Sequence, residues 1–115
     1  MFKLDKTINI RYLNKSIKIN VRKLGVFSKG IGLMFKSRES ENLLFNFNKD
    51  VKISIHSFFV FFPFLVLWLD AENNVLEWKI VKPFCLRVLP KNKFRRFVEI
   101  PINEENKEII KFFRK

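Results

Sequence analysis

The chain holds one histidine and one cysteine, His56 and Cys85, so nucleophilic or metal chemistry would have to start from them. A Ser-His-Asp or Cys-His site needs a nucleophile within hydrogen-bond reach of an oriented imidazole, and neither a Gly-x-Ser-x-Gly elbow nor a reactive-cysteine signature accompanies His56. Zinc sites draw on paired ligands a few residues apart. His56 and Cys85 stand 29 positions apart without a second histidine or cysteine, and His56 reads as a structural residue in a strand. Cys85, between Phe84 and Leu86, reads as a core or half-core thiol. The carboxylate pairs Glu39 with Glu41 and Asp70 with Glu72 fall in polar loops without an aromatic or histidine neighbour to tune them, so they read as solvated charges. Gly25, Gly30 and Gly32 fit neither a P-loop nor a Rossmann fingerprint. These absences predict no enzyme, no metal and no cofactor.

Charge is the remaining chemistry. Lys and Arg number 23 against 11 Asp and Glu, a net charge of +12, and such an excess suggests a polyanionic partner. It is unevenly spread. Residues 1–38 hold ten basic and one acidic side chain, 39–78 two and six, 79–96 seven and none, and 97–115 four and four. Two basic clusters separated by an acidic stretch favour one charged face. The candidate nucleic-acid-binding residues are Arg11, Lys18 and Arg22 in the first cluster and Lys82, Arg87, Lys91, Lys93, Arg95 and Arg96 in the second. The competing reading is solvated charge from a Lys-, Asn-, Ile- and Phe-heavy composition of the kind AT-rich coding produces. Phe94 and Phe97, flanking Arg95 and Arg96, are the candidate exposed aromatics; Phe58, Phe59, Phe61, Phe62, Phe64 and Trp68 read as core.

The elements that must carry these residues follow from periodicity. Ile8, Ile10 and Tyr12 alternate, as do Ile17, Ile19 and Val21, which predicts a β-hairpin. With Asn14 and Lys15 as a two-residue turn, Tyr12 pairs with Ile17 and Ile10 with Ile19, and Arg11 falls opposite Lys18, a like-charge pair that an anion would screen. A short helix or turn is expected near residue 30, from Ser28 to Met34. Strands are expected over 43–47, 51–60, 64–69, 75–81, 84–89 and 94–100, and a helix from about Asn103 to Phe113 packed through Ile109, Ile110 and Phe113. The apolar run from Phe58 to Leu69 spans 12 residues and contains Pro63. A membrane helix needs about 20, so the run reads as a pair of buried strands. The N-terminus shows no secretory signal, and the expected compartment is the cytoplasm. With 115 residues, 48% hydrophobic, one domain with its own core is expected. The fold class is all-β, mainly antiparallel: a β-sandwich or jelly roll, or a partly open barrel, with a short helix near residue 30 and a C-terminal helix.

Gly32 to Phe35 (GLMF), Leu44 to Phe47 (LFNF), His56 to Asp70, Lys82 to Phe84 (KPF) and Glu99 to Pro101 (EIP) together resemble the family catalogued as Domain of Unknown Function 192. The resemblance runs from about Val21 to the end of the chain and implies a compact, mainly β fold with no assigned activity. Relatives carry a basic residue where this chain has Phe61, an Asp where it has Leu65 and a Met where it has Val60. The resemblance therefore implies that a polar pocket there would be altered. It also implies a further strand after the terminal helix, so that a chain stopping at Lys115 leaves a sheet edge open.

Three function classes follow. The first is a non-enzymatic basic domain docking on nucleic acid or a ribonucleoprotein surface through phosphate contacts. The second is a protein-interaction module, joining a protein partner or a second copy through an open edge or a Phe-rich surface. The third, a small-ligand or carbohydrate-binding domain near His56, is disfavoured by Phe61 and Leu65.

Overall fold

The computed structural model describes residues 5–24, 38, 40–55, 57, 60–85 and 87–114. The short helix expected near residue 30 and the placement of His56 lie outside them. Six strands, β1 (Asp5–Tyr12), β2 (Lys15–Leu24), β3 (Leu43–Val51), β4 (Phe64–Leu69), β5 (Val75–Val81) and β6 (Phe94–Pro101), precede one helix, α1 (Lys107–Arg114). They form a single sheet in the order β1-β2-β3-β6-β4-β5. Every pairing is antiparallel except β2 with β3. The outer strands β1 and β5 approach at one end, where the Arg11 amide donates to the Asn73 carbonyl at 3.0 Å. Of the two architectures expected, this half-barrel is the partly open barrel.

At the centre of the sheet, in β4, both faces are buried. Leu65, Leu67 and Leu69 of β4 point inward with Ile8, Ile10, Ile19, Val21, Val98 and Ile100, and Phe113 of α1 closes that cluster. Phe64, Val66 and Trp68 point outward with Phe45, Phe94 and Phe97. A strand buried on both sides has no polar face, which is why Phe64–Leu69 reads as a continuous apolar run. The run holds one strand among the described residues rather than two, because residues 60–63 form the approach to it.

Outside the second cluster lies a layer of connections instead of strands. Ile55, Val60 and Phe62 from the β3–β4 connection and Val88 from the β5–β6 connection cover the outward face. Among the described residues, the strands expected over 51–60 and 84–89 reduce to the end of β3 at Val51 and one antiparallel bridge, Ile55 with Val88. Ile55, Val60 and Val88 are buried as loop anchors while Ile53, Phe84 and Leu89 are exposed, a pattern that alternation alone cannot separate from pairing. Ser57, fully buried, fastens the two connections: its hydroxyl donates to the Lys82 carbonyl at 2.6 Å, and its carbonyl accepts from the Phe84 amide at 2.9 Å. Conversely, β3 continues through Asn48–Asp50, the expected break, as a register irregularity between Asn46 and Val51 against β6.

The first hairpin exists in a different register. Leu13 and Asn14, at φ 50° and 67°, make the turn, and Tyr12 pairs with Lys15, Ile10 with Ile17 and Ile8 with Ile19. Two consecutive left-handed residues are the signature of a type I′ turn, whose twist matches the strands it joins. A slip of two residues leaves every side chain on the same face. Hydrophobic alternation was therefore blind to it. Arg11 faces Ser16 and Lys18 faces Asn9, so the like-charge pair does not form.

Candidate nucleic-acid interface

Four of the nine candidate cations are occupied within the fold. Arg11 Nε donates to Asn74 Oδ1 at 3.0 Å and its terminal nitrogen to the Glu72 carbonyl, fastening β1 to the β4–β5 turn. That turn is built on Asp70, whose Oδ1 accepts from the amides of Glu72 at 2.9 Å and Asn74 at 2.8 Å. Partial burial pushes the Asp70 carboxyl up, but the Asn74 side chain, the two amides and the Arg11 charge outweigh it and hold it below its ordinary value. Arg22 pairs with Glu41 at 3.2 Å and Arg95 with Asp50 at 3.1 Å. Arg96 reaches Asn46 Oδ1 at 2.8 Å and Asn73 Oδ1 at 2.6 Å. These arginines tie strand ends to turns.

The other five, Lys18, Lys82, Arg87, Lys91 and Lys93, are exposed. Lys18 stands apart on β2, beside a groove of about 640 Å³ that also involves Ile19, Asn20, Asn42, Asn106 and Ile109. The remaining four share the β5–β6 connection. The Ile55–Val88 bridge runs the exposed Lys52 toward the same end of the layer as Lys91. No acidic residue occurs between Val51 and Leu69 or between Lys79 and Val98. At the margin, Glu77 Oε1 accepts from the Lys91 amide at 2.8 Å. The predicted second cluster, without Arg95 and Arg96, is strung along a connection that runs from the Phe64 end of β4 to its Leu69 end, while the predicted first cluster is dispersed along the hairpin.

The aromatic expectation is reversed. Phe94 and Phe97 are 1% and 2% exposed, packed in the outward cluster, where Phe97 stacks on Phe45 and Phe47 and Phe94 meets Phe47 edge-on. Phe61 and Phe84 stand 59% and 48% in solvent, their ring centroids 5.2 Å apart at 79°. Phe84 has φ 60°, left-handed backbone that costs a bulky residue about 1–3 kcal/mol and that the bonds at Ser57 hold in place. Sequence reasoning put Phe61 in the core because it sits in an apolar run. Leu65 is fully buried in the inward cluster, so Phe61 and Leu65 do not share a pocket. Cys85 is half-buried against the outward cluster, as expected. Among the described residues no three His, Cys, Asp or Glu side chains gather where a metal would bind, and no helix is long and apolar enough to cross a membrane.

No family model matches the chain, and no curated protein does. Among solved structures, it is similar to a protein of Sinorhizobium meliloti described as a "putative transcription regulator", with a TM-score of 0.78 at 10% identity over 95% of this chain and 88% of that one. It is also similar to a protein of unknown function from Novosphingobium aromaticivorans, with a TM-score of 0.75 at 11% identity over 91% of this chain and 78% of that one. At such identities the likeness establishes the half-barrel fold alone.

Proposed function

We propose that this chain is a non-enzymatic basic β domain, a divergent relative of Domain of Unknown Function 192, that docks on nucleic acid or a ribonucleoprotein surface through phosphate contacts. The observation that carries the reading is that Lys82, Arg87, Lys91 and Lys93 are all exposed along one acid-free connection. Each phosphate contact contributes roughly −0.7 to −0.9 to the slope of log affinity against log salt. The neighbour described as a regulator is compatible with this reading. Titrating labelled RNA and duplex DNA at several salt concentrations tests it. The expected slope is about −3, flattened when these four residues become Ala, with affinity lost alike for all sequences. Binding no tighter than about 100 μM to either polymer defeats the reading.

A second reading, a protein-interaction module, is favoured by the edge of β2. Its pairing with β3 covers Arg22 to Leu24, and the amides of Ser16 and Lys18, which alternate in phase with the outward Arg22 amide, have no strand opposite them among the described residues. An extended peptide could add there.

A further inference from the structure

β2 runs for ten residues, Lys15–Leu24, but only Arg22 to Leu24 pair with β3. From Lys15 to Val21 it has β1 on one side and, among the described residues, no strand on the other. The Arg22 amide reaches away from β1 to the Asn42 carbonyl at 2.8 Å, and the period of two turns the amides of Lys18 and Ser16 the same way. Asn42 Nδ2 donates to the Asn20 carbonyl at 3.0 Å, so a side chain ends the ladder where β3 begins. The open stretch borders the groove of about 640 Å³, a volume within the range of ligand clefts. Ile17 and Ile109, both half-buried, give it apolar surface. Lys18 is exposed at its β2 side, and Glu105 and Glu108 are exposed at its α1 side. None of these three forms an ion pair among the described residues.

We propose that this groove takes an extended peptide of another protein, with acidic and apolar residues alternating, which adds to β2 as a new strand. The inference rests on the interaction-module reading above and deepens it by naming the partner's chemistry. Directly opposite residues of paired strands share a face, so the residue set against Lys18 stands with it on the side away from Ile17 and Ile19. A carboxylate there makes the attractive cross-strand pair. Its neighbours turn to the other face, over Ile17, Ile19 and Ile109, where apolar side chains gain burial. The added strand has an outer edge of its own, whose amides need acceptors. Carboxylates only accept, and Glu105 and Glu108 offer them from the α1 side. A second copy of this chain suits the edge poorly, because pairing β2 with itself sets Lys15 and Lys18 against the same two lysines. Charged edges of that kind keep sheets apart.

The test titrates the protein into a labelled peptide of about eight residues alternating Glu and Val, long enough to cover the open stretch, and into the same pattern with Lys in place of Glu. The Glu peptide should bind more tightly. Lys18→Glu should weaken it about 2- to 30-fold, an attractive cross-strand pair turned repulsive, and should strengthen the Lys peptide. Lys93→Glu makes the same charge change at the start of β6, the end away from α1, and should alter neither. A Glu peptide methylated at every backbone nitrogen should not bind. Equal binding of the Glu and Lys peptides, or equal responses to Lys18→Glu and Lys93→Glu, overturns the acidic partner and leaves strand addition standing. Undiminished binding of the methylated peptide, or no binding of any peptide, overturns both. A dimer of the free chain that the Glu peptide dissociates puts a second copy on the edge and overturns the proposal as well.

Discussion

Asn106 Nδ2 donates to Asn42 Oδ1 at 3.0 Å and Asn42 Nδ2 donates back to Asn106 Oδ1 at 3.3 Å, a reciprocal amide pair, buried, between residues 64 apart in sequence. The same amides reach the Pro101 carbonyl at 2.8 Å and the Asn20 carbonyl at 3.0 Å. Four elements, β2, β3, β6 and the entry to α1, are thereby joined at one point.

Removing one partner strands the other. Asn106→Leu should cost about 1–3 kcal/mol, the usual penalty for a buried polar group left unpaired. Replacing both asparagines with Leu should cost less than the two single changes added together. Urea unfolding of the three variants measures this.

The helix is held by one deep side chain. Phe113 is buried against the inward cluster, whereas Ile109 and Ile110 are only partly so. Phe113→Ala should therefore lower stability by about 3–5 kcal/mol and Ile110→Ala by less. Equal losses would mean that the helix sits differently on the sheet.

Leu13 offers a stabilising change. Its φ of 50° costs a branched residue about 1–2 kcal/mol, and its side chain is 75% exposed, so it contributes little packing. Leu13→Asn should raise the urea midpoint without altering the denaturant slope.

Acid sensitivity should trace in part to Asp70. Its carboxyl titrates below the usual aspartate range when folded, so the stability it contributes is fully present above about pH 4, the unfolded value, and is lost as pH falls through the folded value. The difference in melting temperature between wild type and Asp70→Asn should shrink below pH 4. A difference constant from pH 7 to pH 3 would contradict this.

The arginines and lysines of the second cluster should separate by assay. Arg95 and Arg96 hold Asp50, Asn46 and Asn73, so changing both to Ala should lower stability and leave the salt slope nearly intact. Changing Lys91 and Lys93 should do the reverse. Thermal melts and salt titrations on both pairs decide it.

What the sequence made legible was whatever depends on composition and local period. The strands Phe64–Leu69 and Val75–Val81 and the C-terminal helix could be read directly, because each has an apolar pattern bounded by turn or capping residues. The hairpin's existence was legible and its register was not, since faces are unchanged by a two-residue slip. At the candidate site, the excess of cations was legible. Which of them are spent inside the fold was not, because Arg11 meets Glu72 and Asn74 across more than 60 residues. Phe61 and Phe97 exchanged their expected environments for a similar reason: burial on a loop layer depends on what the layer packs against.

The strand order has a consequence for the growing chain. β6 lies between β3 and β4, yet it is the last strand in sequence. Until residues 94–101 are made, β1-β2-β3 and β4-β5 lack the strand that joins them at the centre and touch through the contact of Arg11 with Asn73 and Asn74, so that β3 and β4 each present a bare edge. Those edges are templates for pairing with other chains, so the period between synthesis of β4 and insertion of β6 is when this protein is most exposed to aggregation, and when a chaperone that shields strands would do it most good.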